Sequence, residues 1–367
     1  MMKFLSSTRI TVVCLFLLFI LTFWGTIAQV QQGLYSAQER FFNSFYFLAA
    51  GFIPFPGAQL VLWVLFINLL CMFILSYKKF FQWSNLGNLI IHLGILLYFV
   101  AAFMVFHVSS ESYIRFTEGQ TTNVSNSYTD WEVAFWVDTN GKKREITAVD
   151  TKVFKPEYII PTDTKDFSLT VKQYYSNSDA FSDGSGKKNP RILNEEGITL
   201  LTPKPILKER EQNVAGGVFN IKFDGKSYTL ILYGIEVNPT EVMIAGKKYN
   251  FILRHKHFPL PFTLKLDHFK TEFYPGMDMA KSYESLVTIS TGTLERQVRI
   301  YMNNPLRYND YTVYQASYDA DSTGRQYTTL AVVRNSARIM PYVSCLVVFF
   351  GLALHFLMQA FISRIKP

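Results

Sequence analysis

The 367-residue chain has room for one large domain or two ordinary ones, is 49% hydrophobic and only 17% charged, and carries a formal charge of +8. Its apolar residues cluster too unevenly for a plain soluble protein, and its three cysteines exclude a disulfide-stapled fold. The basic balance suits anionic headgroups or an acidic ligand and decides little more.

In chain order, Ile10 to Ala28, Ala58 to Tyr77, Leu86 to Phe106 and Ile339 to Ile362 are long and apolar, with no Asp, Glu, Lys or Arg. Each has the roughly 20 residues that a hydrocarbon core demands, so four transmembrane helices are expected. The first could pass for a signal peptide, with Lys3 and Arg9 before it and "TIAQ" after it. An uncleaved helix is the better reading, because its apolar run exceeds a usual signal core and more spans follow. Lys3, Arg9, Lys78, Lys79, Arg364 and Lys366 flank the spans on one side, which places both termini in the cytoplasm and the long middle segment outside. Between the first two spans, Glu39 to Pro56 is aromatic but broken by Pro54 and Pro56, and is expected to lie along the outer interface.

All three cysteines, Cys14, Cys71 and Cys345, fall within the expected spans, which leaves 107–338 without a thiol and excludes a thiol oxidoreductase. From Phe116 the pattern alternates, as in sheets with one wet face. Val133, Phe135 and Val137 precede an Asn140-Gly141 turn, and Phe219, Ile221 and Phe223 lead through Asp224-Gly225 to Tyr228, Leu230 and Leu232. Both read as β-hairpins, and the whole of 107–338 as an all-β sandwich or open barrel. Ser176 to Pro190 is poor in apolar residues and reads as a mobile loop. The organisation expected is thus 1–106 with three helices and the interfacial segment 39–56, the β domain 107–338, and 339–367 with the fourth helix and a cytoplasmic tail.

Two histidines sit inside apolar spans. His92 lies roughly 7 to 9 Å inside the hydrocarbon from the near end of the third helix, by rise per residue, and His355 is at about the same depth in the fourth. Intramembrane ionisable groups are functional by default. A neutral imidazole can bind a metal through one nitrogen while an acceptor holds the other, or it can simply bond to Asn88 or Asn68 as a packing group. His355 could also reach towards the headgroups. Outside, His255 and His257 share a face if that stretch is extended, but Arg254 and Lys256 would repel a cation, and surface histidines are the expectation. His107 would cap the third helix or touch a ligand leaving the membrane. No Ser, His and acid arrangement with a recognisable context is present, so no independent catalytic site is expected.

Several motifs together resemble the ResB (CcsB) family of cytochrome c biogenesis proteins: "LSSTRITVVCLFLLFILTFWGTIAQ" at the start, "LPFTLKLDHFKTEFYPG" at Leu260 to Gly276, "SYESLV" at Ser282 to Val287 and "NNPLRYNDYTVYQASYD" at Asn303 to Asp319. "VVRNSARIMPYVSCLVVFFGLALHF" then enters the last helix as in that family. The resemblance implies a subunit that works with a CcsA-type membrane partner to export haem b and present it for covalent attachment to apocytochrome c. It implies that His92 is one axial haem ligand, the second coming from the partner; His355 as an intrachain co-ligand is the lesser alternative. The chain lacks a C-x-x-C-H site for covalent haem of its own and the partner's tryptophan-rich motif, so it looks like the separate ResB half of a cytochrome c haem lyase complex. Asn304, Pro305, Arg307, Tyr314, Gln315 and Tyr318 either meet a partner or form a buried hydrogen-bond network. The competing reading is a non-haem, membrane-anchored scaffold for a periplasmic assembly.

Overall fold

A computed structural model describes residues 2–80, 82–138, 145–162, 164–182, 190–277, 280–292, 294–320 and 324–365. The chain divides into two units: Met1–Ser110 with Arg307–Thr312 and Val333–Pro367, and Glu111–Leu306 with Val313–Val332.

The first unit holds four helices long and apolar enough to cross a membrane: α1 (Thr8–Gln32), α2 (Ala58–Phe80), α3 (Leu86–Val108) and α4 (Met340–Ile365). Each begins and ends within a few residues of the sequence expectation. Ser7 caps α1 by accepting from the Arg9 N–H. Asn68, 5% exposed on α2, ties that helix to the start of α1: its Oδ1 accepts from Thr11 at 2.8 Å and its Nδ2 donates to the Leu5 and Ser7 carbonyls.

Helices α3 and α4 pack backbone to backbone. A Cβ on Gly87 would stand 2.5 Å from the His355 backbone, one on Gly94 2.9 Å from the Val348 nitrogen, and one on Gly351 2.8 Å from the Ile91 nitrogen. Two positions of α3, about two turns apart, thus offer hydrogen where any side chain would hold the helices apart, the small-residue contact that membrane helices favour.

The segment between α1 and α2, expected to be interrupted by its prolines, contains a hairpin. After a π turn over Gln38–Phe42, β1 (Tyr46–Ala49) pairs antiparallel with β2 (Ile53–Pro56) around Ala50 and Gly51, both at positive φ. Pro54 and Pro56 do not break it, because a two-stranded ribbon has only edges, where a missing N–H costs no ladder bond.

In the second unit, β3 (Ser110–Phe116) and β4 (Thr121–Val137) join β5 (Ser168–Tyr175), β6 (Gly216–Phe223), β7 (Lys226–Tyr233), β8 (Lys247–Phe273), β9 (Ala280–Ser290), β10 (Glu295–Tyr301), β11 (Tyr311–Ala320) and β12 (Gln326–Arg334). The large sheet runs β10-β9-β8-β4-β3-β12-β11, and a smaller one centres on β5-β6-β7. Their facing sides form the core: Val133, Phe135, Phe251 and Leu253 against Leu169, Val171, Phe219, Ile221, Leu230 and Leu232. The Asp224-Gly225 turn is as expected, with φ of 49° and 70° and Phe219 opposite Leu230. Asn140 and Gly141 lie outside the described residues, although Ile146–Asp150 does return along β4, Val149 opposite Val133.

The stretch Ser176 to Pro190, expected as a mobile loop, is corrected in its first part. Ser178–Phe181 pairs with Leu200–Pro203, and buried Asn177 donates to the Pro205 carbonyl and accepts from the Val214 N–H. One asparagine that satisfies two backbone groups from separate connecting segments orders a stretch whose composition alone could not. Residues 183–189 lie outside the described residues.

Candidate functional site

His92 stands in the second turn of α3, half-buried, with Nδ1 2.7 Å from the main-chain oxygen of Asn88. A carbonyl can only accept, so Nδ1 carries the proton and Nε2 the lone pair, the tautomer in which an imidazole ligates a metal. The acceptor is the Asn88 backbone rather than its side chain, and Asn68 spends its amide on α1. Of the two packing partners expected for His92, Asn88 is bonded to it, through the main chain.

His355 lies on α4 with its backbone against Gly87 and its ring 5.6 Å from that of Phe356. Gly87 and His92 are five residues apart, about 140° around the helix at 3.6 residues per turn. The stripe of α3 that meets α4 is therefore Gly87, Ile91 and Gly94. The stripe through His92 continues to Phe99 and Phe103, which meet Phe66 and Trp63 of α2 at 5.8 and 5.7 Å. The helix thus puts the two histidines on different interfaces.

One imidazole on α3 is therefore available in a form that could bind a metal. Among the described residues no group of three or more His, Cys, Asp or Glu could enclose an ion. His107, exposed at the end of α3, packs on Phe103 and Phe106 at 4.3 and 5.2 Å, and the helix is closed by the Ser109 N–H donating to Val105 instead.

In the β unit, His255 and His257 are not surface residues. His255 stacks on Trp131 at 4.0 Å and stands edge-on to Tyr113 at 6.1 Å. Burial pulls both imidazoles down, His257 to about 4 with the Arg254 and His255 charges adding to it. The charges expected to repel a cation are paired: Arg254 with Glu132 at 2.9 Å and Lys256 with Asp150 at 2.8 Å. The same burial, with Glu211 and Glu111 nearby, pushes the Tyr128 phenol up to about 12. Sequence reading missed this Tyr113, Tyr128, Trp131 and His255 cluster, since it assembles across β3, β4 and β8. His268 sits 2.8 Å from Glu118, which also accepts from the Phe269 N–H.

The Asn303 to Asp319 motif divides by strand alternation. Gln315 turns inward, accepts from Ser285 at 2.7 Å and donates to Thr328 at 2.8 Å, while Ser285 and Thr328 meet at 3.1 Å. This closed network links β9 to β11 and β12, so the large sheet curls until strands distant in its order touch. Tyr318 adds rings at 5.3 to 6.3 Å from Tyr283, Phe269 and Phe273. Arg307, Tyr314 and Asn304 are exposed, and Asn304 donates to the Met302 carbonyl in the turn that Pro305 follows.

Comparison with known proteins places a match to the ResB-like family over residues 215–325, less than a third of the chain. Protein NrfI of Wolinella succinogenes is 32% identical over 99 residues, 26% of this chain and 11% of that protein, so the matched stretch is a small part of that relative. Among solved structures, a cytochrome c haem lyase, CcmF, aligns over 94% of this chain and 34% of its own, at 11% identity and a TM-score of 0.22.

Proposed function

We propose, from the match to the ResB-like family over residues 215–325, that the chain is a membrane subunit of cytochrome c maturation that holds haem through His92. In this reading the chain works with a CcsA-type partner to export haem b and present it for covalent attachment to apocytochrome c, with both termini cytoplasmic and the β unit outside. Haem is cargo, and the chain supplies orientation and one axial nitrogen. The observation that carries the reading is the Asn88 carbonyl at 2.7 Å from Nδ1, which holds the His92 ring and its lone pair in one orientation. The second axial ligand comes from the partner, because His355 belongs to a different helix interface.

The test is to purify the chain with its CcsA-type partner and record visible spectra. His92→Ala is expected to lower haem content and shift the Soret band, and His355→Ala to leave both unchanged. A His92→Ala complex with an unaltered spectrum would favour the non-haem scaffold.

A further inference from the structure

Residues 41–57 contain no charged side chain, yet they fold as the β1–β2 hairpin with two distinct faces. One face is spent within the unit. Phe47 is 7% exposed, its ring 5.6 Å from Trp24 and 4.8 Å from Phe41, and Phe55 closes the cluster at 5.6 Å from both Trp24 and Phe47. The other face, where Tyr46 lies opposite Pro56 and Leu48 opposite Pro54, is bare: Tyr46 is 68% exposed and Leu48 47%, and Phe52 at the tip is 74% exposed. A contiguous apolar face of this kind is a liability in water and marks a contact surface.

The position of the hairpin names the occupant. It runs from the end of α1 to the start of α2, and the Gly57 N–H donates to the Phe45 carbonyl at 2.9 Å, which pins the ribbon to the first turn of α2. A segment that joins two spanning helices sits at the bilayer boundary by construction. Arg40 holds it from the inner side, donating to the Leu48 carbonyl at 2.9 Å with its guanidinium 5.4 Å from the Phe47 ring centre.

The backbone sets the depth. Each strand of a lone ribbon keeps an unpaired edge, which hydrocarbon would leave unsatisfied. Pro54 and Pro56 remove two donors from that edge but leave its carbonyls, which still need water. Aromatic rings with wet backbone belong to the interface.

We propose that the Tyr46 and Leu48 face of the hairpin, with Phe52 at its tip, lies in the headgroup–acyl boundary of the bilayer, on the side where α1 ends, with lipid as its occupant. The test uses the full chain in phosphatidylcholine vesicles, with Cys14, Cys71 and Cys345 replaced by Ala and a fluorescent label on Phe52→Cys. Phe19→Cys, 68% exposed on α1, serves as the hydrocarbon reference, and Val237→Cys, 85% exposed in the β unit, as the aqueous one. Nitroxide lipids with shallow spin labels are expected to quench the label at 52 more than deep ones do, while the order reverses at 19 and only iodide quenches at 237. A label at 52 that behaves like the one at 237 would overturn the proposal. So would one shielded from both nitroxides and iodide, since protein would then be the cover. Leu48→Cys, on the same face as Tyr46, repeats the measurement should the first variant fail to fold.

Discussion

In the membrane helices, His92, Thr22, Thr26 and Ser344 each bond to the carbonyl four residues back in their own helix, at 2.7 to 2.9 Å. In the β unit, Glu132 takes Arg254 from 122 residues away and Asp150 takes Lys256 from 106 away. A helix entering lipid must arrive with its polar groups already satisfied, because no water waits to serve them. A sheet folding in water can leave them hydrated until the distant strand arrives. Asn68 instead ties two helices together, and it does so at the start of α1, by the Leu5 and Ser7 carbonyls.

The comparison predicts where substitutions hurt. Removing one partner of a long-range buried pair should cost most: Arg254→Ala strands Glu132, whose side chain is 7% exposed, and is expected to lose about 3–5 kcal/mol. A drop in melting temperature in detergent would show it, and a melt within error of wild type would mean that water reaches Glu132. Close helix contact should come next. Gly87→Ala drives a Cβ against the His355 backbone and is expected to cost about 1–3 kcal/mol as α3 and α4 separate. Its readout is faster proteolysis of the purified chain than of wild type.

His257 supplies a pH-dependent term. Its folded pKa of about 4 lies below the usual value of 6.5, so the unfolded chain takes up the proton first as pH falls. Stability should be full above about pH 6.5 and decline towards pH 4, by on the order of 1–2 kcal/mol once partial solvation is allowed for. Melting curves across that window should flatten in His257→Asn. Asn68→Ala, which removes the bonds to Thr11, Leu5 and Ser7, should cost about 1 kcal/mol, given how modest interhelical hydrogen bonds are in membranes.

The smallest effect sharpens the comparison most. The His92 bond lies within its own helix, so His92→Ala should change stability by less than about 1 kcal/mol. A larger loss in the chain measured without haem would make His92 a packing residue. Little loss of stability with a large loss of haem would separate ligation from structure.

The four spans were legible to within a few residues, because hydrocarbon thickness imposes a length that composition reveals directly. The Asp224-Gly225 hairpin was legible for a similar reason, since its backbone angles favour that dipeptide. His92 could be singled out as an imidazole where lipid disfavours one. Asn88 was legible as a partner beside Asn68, but the accepting atom was not, because Asn88 offers both a side chain and a carbonyl one turn away.

Everything that depends on which surfaces meet had to wait for tertiary structure. The sequence placed His92 and His355 at equal depth, but depth says nothing of azimuth, and the Gly87 contact with the His355 backbone puts them on separate interfaces. Pro54 and Pro56 looked like breaks until pairing made them edge residues. His255 and His257 looked like surface groups until β3 and β4 brought Tyr113 and Trp131 beside them. Local chemistry and solvent set what each segment is, and these the sequence states residue by residue. Burial and contact between distant segments belong to no residue alone, and only the packed chain decides them.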